Sequence, residues 1–168
     1  MPTPIGHALG ALLLTAPIRA RYGWGGVTAV AAVAAAAIAP DFDLLVGRHS
    51  AETHSIGAAA IAALATYGVL TARAHARAAP WAMVIGVAVL SHVLLDWLGT
   101  DTSAPIGVMA LWPFSRAYVE SDAHMFMAVS RRYWLEEFWV YNLSVLAREL
   151  LLLGVPAAVA EWWVRRRT

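Results

Sequence analysis

Residues 81–98 read WAMVIGVAVLSHVLLDWL. The first ten carry no ionisable or hydroxyl side chain, and the run shows no strand-like alternation of apolar and polar positions. Its length approaches the roughly 20 residues that an α-helix needs to cross a bilayer. Two groups interrupt it, His92 and Asp96. Four apart, they share one face of a helix. An ionisable pair inside an apolar span is expensive and marks a functional site, or else a hydrogen bond that glues neighbouring helices.

The rest of the chain resembles this run. Of 168 residues, 60% are hydrophobic and only 14% charged, and the mean hydropathy is +0.62. Such values point to a membrane protein rather than a soluble domain. Four further apolar segments occupy 4–18, 24–39, 55–72 and 142–164. The first is short for a span, and several are rich in alanine and glycine, which suits close helix packing in lipid. Arg148 beside Glu149 in the last segment reads as an internal ion pair. The expected fold class is all-α: a polytopic membrane bundle of about four to five apolar helices plus an interfacial segment, forming one domain over 1–168. The start, MPTPIGHALGALLLTAPIRA, lacks the positive region of a secretory signal and reads as a retained first helix.

The formal charge of +1 leaves no basic excess for nucleic acid. The absence of cysteine excludes disulfides and thiolate metal sites. Twelve arginines with no lysine, amid abundant alanine, suit a GC-rich bacterial genome. Between the last two segments, DAHMFMAVSRRYWLEEFWVY (122–141) mixes large apolar side chains with charges. It reads either as an interfacial amphipathic helix or as a soluble cap. The ending EWWVRRRT looks like an aromatic belt followed by a cationic anchor.

If the five segments alternate in direction, His7, Asp41, Asp43, His49, His54, His92 and Asp96 all fall at the end that holds the N-terminus. Arg19, Arg21, Arg73, Arg77, Arg165, Arg166 and Arg167 fall at the opposite end, against Arg48, Arg116, Arg131 and Arg132 at the first. The positive-inside bias then places the His/Asp end outside a bacterial plasma membrane.

Taken singly these residues say little. The stretch APDFD (39–43) could be an acidic loop. In HSAETHS (49–55), two histidines stand five apart, with Thr53 or Ser55 able to cap the next helix. Together, His7, Asp43, His49, His54, His92 and Asp96 form an imidazole and carboxylate ligand set that suits Zn²⁺, Mn²⁺ or Fe²⁺. It is large enough for two ions, with two Zn²⁺ the first expectation. Two ions would activate water and hold both oxygens of an in-line displacement. Asp41 and Asp43 are candidates to orient or deprotonate that water. Arg48, with Arg116 and Arg148 behind it, is a candidate to pair with a phosphate. Asp101 could support the ligands from behind. The partners expected are the bilayer and a lipid or lipid-linked substrate. Buried His and Asp are equally typical of a cation or proton path, so a transporter is the alternative.

GHALGA, APDFD, HSAETHS, HVLLDWLGTDTS and GVMALWPFS occur in the order seen in the YdjM-like membrane-bound metal-dependent hydrolases, which the chain resembles over roughly residues 5–116. The family's usual HRGxTHS reads HSAETHS here. Its histidines correspond to His49 and His54, but Ser50 stands in place of the arginine, whose role would pass to Arg48. More distantly, the order His7, Asp43, His54, His92, Asp96 is similar to that of zinc-dependent phospholipase C and related nucleases. That likeness implies an Asp96 bridging two ions, Asp43, His54 and His92 completing one and His7 on the other. It further implies hydrolysis of a phosphoester, perhaps in a lipid.

Overall fold

Thr3 begins the first helix: its hydroxyl accepts from the Gly6 N–H at 3.1 Å, and Pro4 occupies the first turn, where a missing N–H costs nothing. Gly23, at φ 69°, ends it in the left-handed conformation that glycine tolerates. The structure, a computed structural model, describes residues 1–47 and 49–167. Its helices are α1 (Pro4–Tyr22), α2 (Val27–Ile38), α3 (Ile56–Ala72), α4 (Ala78–Trp97), α5 (Phe138–Glu149) and α6 (Val155–Arg165). A 3₁₀ stretch, Ala39–Val46, prolongs α2, and a π-helical stretch, Leu150–Gly154, joins α5 to α6 into one continuous rod. Among the described residues there is no strand, only isolated bridges at Gly99–Phe126 and Val108–Val119. The fold is all-α, as the apolar runs implied.

Among the described residues, three helices are long and apolar enough to cross a membrane: Val27–Leu45, Ala78–Trp97 and Phe138–Arg165. The apolar α3, at 17 residues, is shorter. α1 packs against α2, α4 and α6, and α3 lies along α4. Ala11, Val33, Ala37, Val84 and Ala88 pack with Trp24 at the junction of α1, α2 and α4. Small residues there let the backbones approach closely. Gly10 is one such point: a Cβ would stand 2.5 Å from Leu95 Cδ1. This contact draws α1 onto α4 beside His7 and Asp96.

Ser55 caps α3 by accepting from the Ala58 N–H at 3.0 Å. The next turn is pinned from outside. The N–H groups of Ile56 and Gly57 donate to the carbonyls of Ala110 and Trp112, at 2.9 and 3.0 Å. A Cβ on Gly57 would sit 2.7 Å from that Trp112 oxygen, so only glycine fits. The long connection after α4 therefore folds back over the end that holds the start of α3.

Within this connection, residues 122–137 form no helix, and α5 starts only at Phe138. The cap, not the amphipathic helix, is what forms. Its backbone groups have partners elsewhere: Met125 N–H donates to Leu98 O at 2.8 Å, and Thr100 N–H to Phe126 O at 2.9 Å. Phe126, 2% exposed, inserts between Leu95 and Leu153.

Two charged groups also sit where the sequence did not place them. Arg19 is fully buried and pairs with Glu161 of α6, while its Nε donates to Thr15 Oγ1 at 3.0 Å and its Nη2 to Leu12 O at 2.8 Å. It is a helix clamp and not a free cation at the arginine-rich end. Glu149 pairs not with Arg148, which is exposed, but with Thr3, accepting from its N–H at 2.7 Å and from its hydroxyl.

Candidate metal centre

Four parts of the chain meet at one end of the bundle. His7 comes from the first turns of α1, Asp41 and Asp43 from the 3₁₀ stretch, His49 and His54 from the link into α3, and His92 and Asp96 from the last turns of α4. The tight winding of a 3₁₀ helix sends residues i and i+2 in different directions, and the two aspartates take different places accordingly.

Asp43 faces away from the centre of the cluster. Its Oδ1 lies 3.0 Å from His49 Nδ1, and its Oδ2 accepts from Thr53 Oγ1 at 2.6 Å and lies 3.1 Å from His54 Nδ1. Thr53 thus serves the site, leaving the cap to Ser55. Asp41 points inward: its Oδ1 stands 3.6 Å from His54 Nε2 and 3.7 Å from His92 Nε2.

His92 is aimed by the backbone. Its Nδ1 lies 2.7 Å from Ala37 O. A carbonyl can only accept, so Nδ1 carries a hydrogen and Nε2 is turned to the cluster, the orientation of a metal-ligating histidine. That Nε2 is 3.0 Å from Asp96 Oδ2. Asp96 Oδ2 is also 3.5 Å from His54 Nε2, and Asp96 Oδ1 is 3.3 Å from His7 Nε2. The His7 and His92 rings stack at 3.7 Å.

These short distances are not matched by hydrogen-bond geometry. His7 Nδ1, His54 Nε2, His92 Nε2 and both oxygens of Asp96 are buried without a hydrogen-bond partner. Buried polar atoms are almost always satisfied, and an unmet one costs about 1–3 kcal/mol. Five orphans in a single cluster are what a cation would reconcile. Three sets bring one ligand atom per residue within 4.8 Å of one another: His7, Asp41 and His92; Asp41, His49 and His54; and His54, His92 and Asp96. The donors, imidazole nitrogen and carboxylate oxygen, fit a divalent metal ion.

The electrostatics favour a cation too. Burial works against a charge on His54, but the neighbouring carboxylates of Asp41 and Asp43, with Asp96 behind them, outweigh it and push the imidazole up to about 9.

Access is from one direction. His7, His54, His92 and Asp96 are at most 1% exposed, whereas Asp41 is 22% and His49 20% exposed. Both line a cavity of about 580 Å³ whose lining also includes Ala128–Arg132, Leu135, Glu137 and Phe138. A second cavity, of about 480 Å³, adjoins it and shares His49.

Of the other candidates, Asp101 lines both cavities, but its oxygens accept from the Ser103 and Gly107 N–H groups, each at 3.0 Å. Arg116 and Arg148 line neither cavity, and Arg48 lies outside the described residues. Arg131 and Arg132, which the sequence offered only as charge, are in the cavity wall.

The family model described as YdjM inner membrane protein matches residues 1–165. The chain belongs to that family. The YdjM match takes in the last third of the chain as well as the motifs of residues 5–116. No curated protein and no solved structure matches the chain.

Proposed function

We propose that this YdjM-family protein is a membrane-bound metal-dependent hydrolase that cleaves a phosphoester of a lipid or lipid-linked molecule. The reading rests on one observation above all. Five unpartnered polar atoms are buried in the His/Asp cluster, and two further members of that cluster, Asp41 and His49, line a cavity. His7, His54, His92 and Asp96, with Asp41, would hold the cation. Asp41, His54 and His92 each belong to two of the three ligand sets, which supports a pair of adjacent ions, with Zn²⁺ the first choice ahead of Mn²⁺ and Fe²⁺. Such ions supply Lewis acidity, acidifying water and offsetting the charge that builds on ester oxygens during displacement.

The chain's own residues do the rest. Asp43 fixes the rings of His54 and His49 through their Nδ1 atoms, and Ala37 O fixes that of His92. Asp41, partly exposed in the cavity, is placed to orient water and to accept its proton. The cap over residues 98–137 and the walls of the bundle limit bulk water to the cavity side. With Arg19 removed from the count, Arg21, Arg73, Arg77 and Arg165–Arg167 still outnumber the cations at the site end, which supports a site facing outward.

The transporter alternative needs polar groups that continue through the bundle. From Leu90 back to Ala78, α4 carries only apolar side chains, which favours the enzyme.

The test is the metal content of the purified protein, alone and with His92→Ala and Asp96→Ala. It is run beside hydrolysis of bis-p-nitrophenyl phosphate with chelator and with Zn²⁺ or Mn²⁺ restored. Two equivalents of metal, lost in both variants together with chelator-sensitive hydrolysis, is the expected result. A wild type that stays metal-free in excess Zn²⁺ and Mn²⁺ would end the proposal. A reporter fused to the C-terminus should read as cytoplasmic.

A further inference from the structure

Arg131 and Arg132, both exposed, line the larger cavity together with Asp41 and His49. Arg131 also lines the smaller one, and His49, Leu44, Asp101 and Ser103 are likewise common to both. Neither arginine has an ion pair among the described residues, in contrast to Arg19. Their position is not that of a loose loop. Ser130 N–H donates to Asn142 Oδ1 and Asn142 Nδ2 donates back to Ser130 O, each at 3.0 Å. Tyr141 Oη donates to Ala128 O at 2.9 Å. The segment that carries the arginines is thus strapped on its N-terminal side to the first turn of α5.

Three carboxylates share the cavity, Asp41 of the cluster and two others. Asp101 has both oxygens engaged by backbone N–H groups, and Glu137 lies at the head of α5. The lining also includes the apolar Leu135 and Phe138 and the ring of Tyr141, beside the hydroxyls of Thr102, Ser103 and Ser130. Beyond it Trp134 and Trp139 are 68% and 71% exposed. An anionic group entering this cavity meets this pair of arginines together with Asp41 and His49 of the cation-binding cluster.

We propose that Arg131 and Arg132 form an oxyanion subsite that takes the phosphate group of the substrate and presents it to the His/Asp cluster. The proposal rests on the hydrolase reading and names its specificity-determining residues. The guanidinium forks match two phosphate oxygens at a time. The phosphate can come from a lipid head group or from a soluble phosphoester, and the apolar part of the lining serves the first.

The test uses the full chain in dodecyl maltoside, loaded with Zn²⁺, and two probes: inorganic phosphate and hexadecyl phosphate. Calorimetric titration of the wild type is compared with Arg131→Met, Arg132→Met, the double variant and Arg131→Lys. Arg116→Met is the control, since Arg116 lines neither cavity. Each methionine variant should weaken both probes about tenfold, since hydrogen bonds to charged groups are the strong ones, and the double variant should weaken them further. Arg131→Lys should recover part of the loss. Metal content and elution volume should not change. Tighter binding of hexadecyl phosphate than of phosphate in the wild type identifies a lipid source, and equal binding a soluble one. Wild-type affinity in the double variant, with metal still bound, overturns the subsite and leaves the hydrolase reading standing. An equal loss in Arg116→Met also overturns it, as it would reduce the effect to net charge. Should the wild type bind no metal, the hydrolase reading fails, while the same phosphate titration still decides the subsite.

Discussion

Chelation is the most informative perturbation of this molecule. Five buried atoms of the His/Asp cluster have no hydrogen-bond partner. At about 1–3 kcal/mol each, leaving all five unmet would cost about 5–15 kcal/mol, the size of a whole domain's stability. A cation bound only by the folded protein removes that cost and stabilises it by mass action. At a hundredfold excess over its dissociation constant the gain is about 2.7 kcal/mol. For a chain of this size each kcal/mol moves the melting temperature by about 2–4 °C, so the shift should be about 5–10 °C. The eight tryptophans allow the melt to be followed by intrinsic fluorescence in detergent. Protein dialysed against EDTA should melt lower by that amount, and added Zn²⁺ should restore the higher transition. His92→Ala and Asp96→Ala should abolish the response. Identical melting curves in EDTA and in saturating Zn²⁺, with no metal found by elemental analysis, would show that these atoms do not form a cation site.

Asp43→Asn keeps the fold but loosens His54 and His49. Zinc affinity should fall about 10–100-fold, and an unchanged affinity in a competition titration would refute its orienting role. The cation needs a neutral His54, whose pKa is raised to about 9 because Asp41 and Asp43 outweigh burial. Zinc affinity should therefore rise about tenfold per pH unit towards that value, for one proton released, and then flatten; a pH-independent affinity counts against this. In EDTA the sign reverses. The raised pKa contributes stability that is complete below about 6.5 and is lost as pH climbs through about 9. Far from the site, Arg19→Leu leaves the partly buried Glu161 without its partner, a loss of about 1–3 kcal/mol. Arg19→Leu with Glu161→Leu should recover most of it, and a single variant that melts like wild type would contradict the clamp.

The helices were legible because burial in lipid demands long apolar runs, and their boundaries follow from local signals such as Thr3 and Gly23. The gathering of His7, His54, His92 and Asp96 was legible for a topological reason: alternating helices return each of them to the same end. What local pattern could not supply is partnership at a distance. Arg19 and Glu161 are 142 positions apart, so nothing near Arg19 reveals that it is buried. The split between Asp41 and Asp43 depends on 3₁₀ winding, which two acids flanking a phenylalanine do not announce. Residues 122–137 carry the composition of an amphipathic helix. Yet their backbone bonds go to the end of α4, and that competition is decided only in three dimensions. For the same reason Arg131 and Arg132 looked like ordinary loop charges.

The π-helical stretch Leu150–Gly154 has a consequence for how the last rod is keyed to the first. Val145, Glu149, Leu153 and Ala157 are all buried, and they recur every four residues. In regular α-winding each such step overshoots by about 40°, and the row would spiral off its neighbour within three steps. The wider turn absorbs the surplus, so a single edge of the rod meets α1 from Thr3 down to the Arg19 clamp. Deleting one leucine from the run 150–153 would restore even pitch and rotate everything upstream. Glu149 would swing away from Thr3, and with it the anchorage of the segment that carries His7.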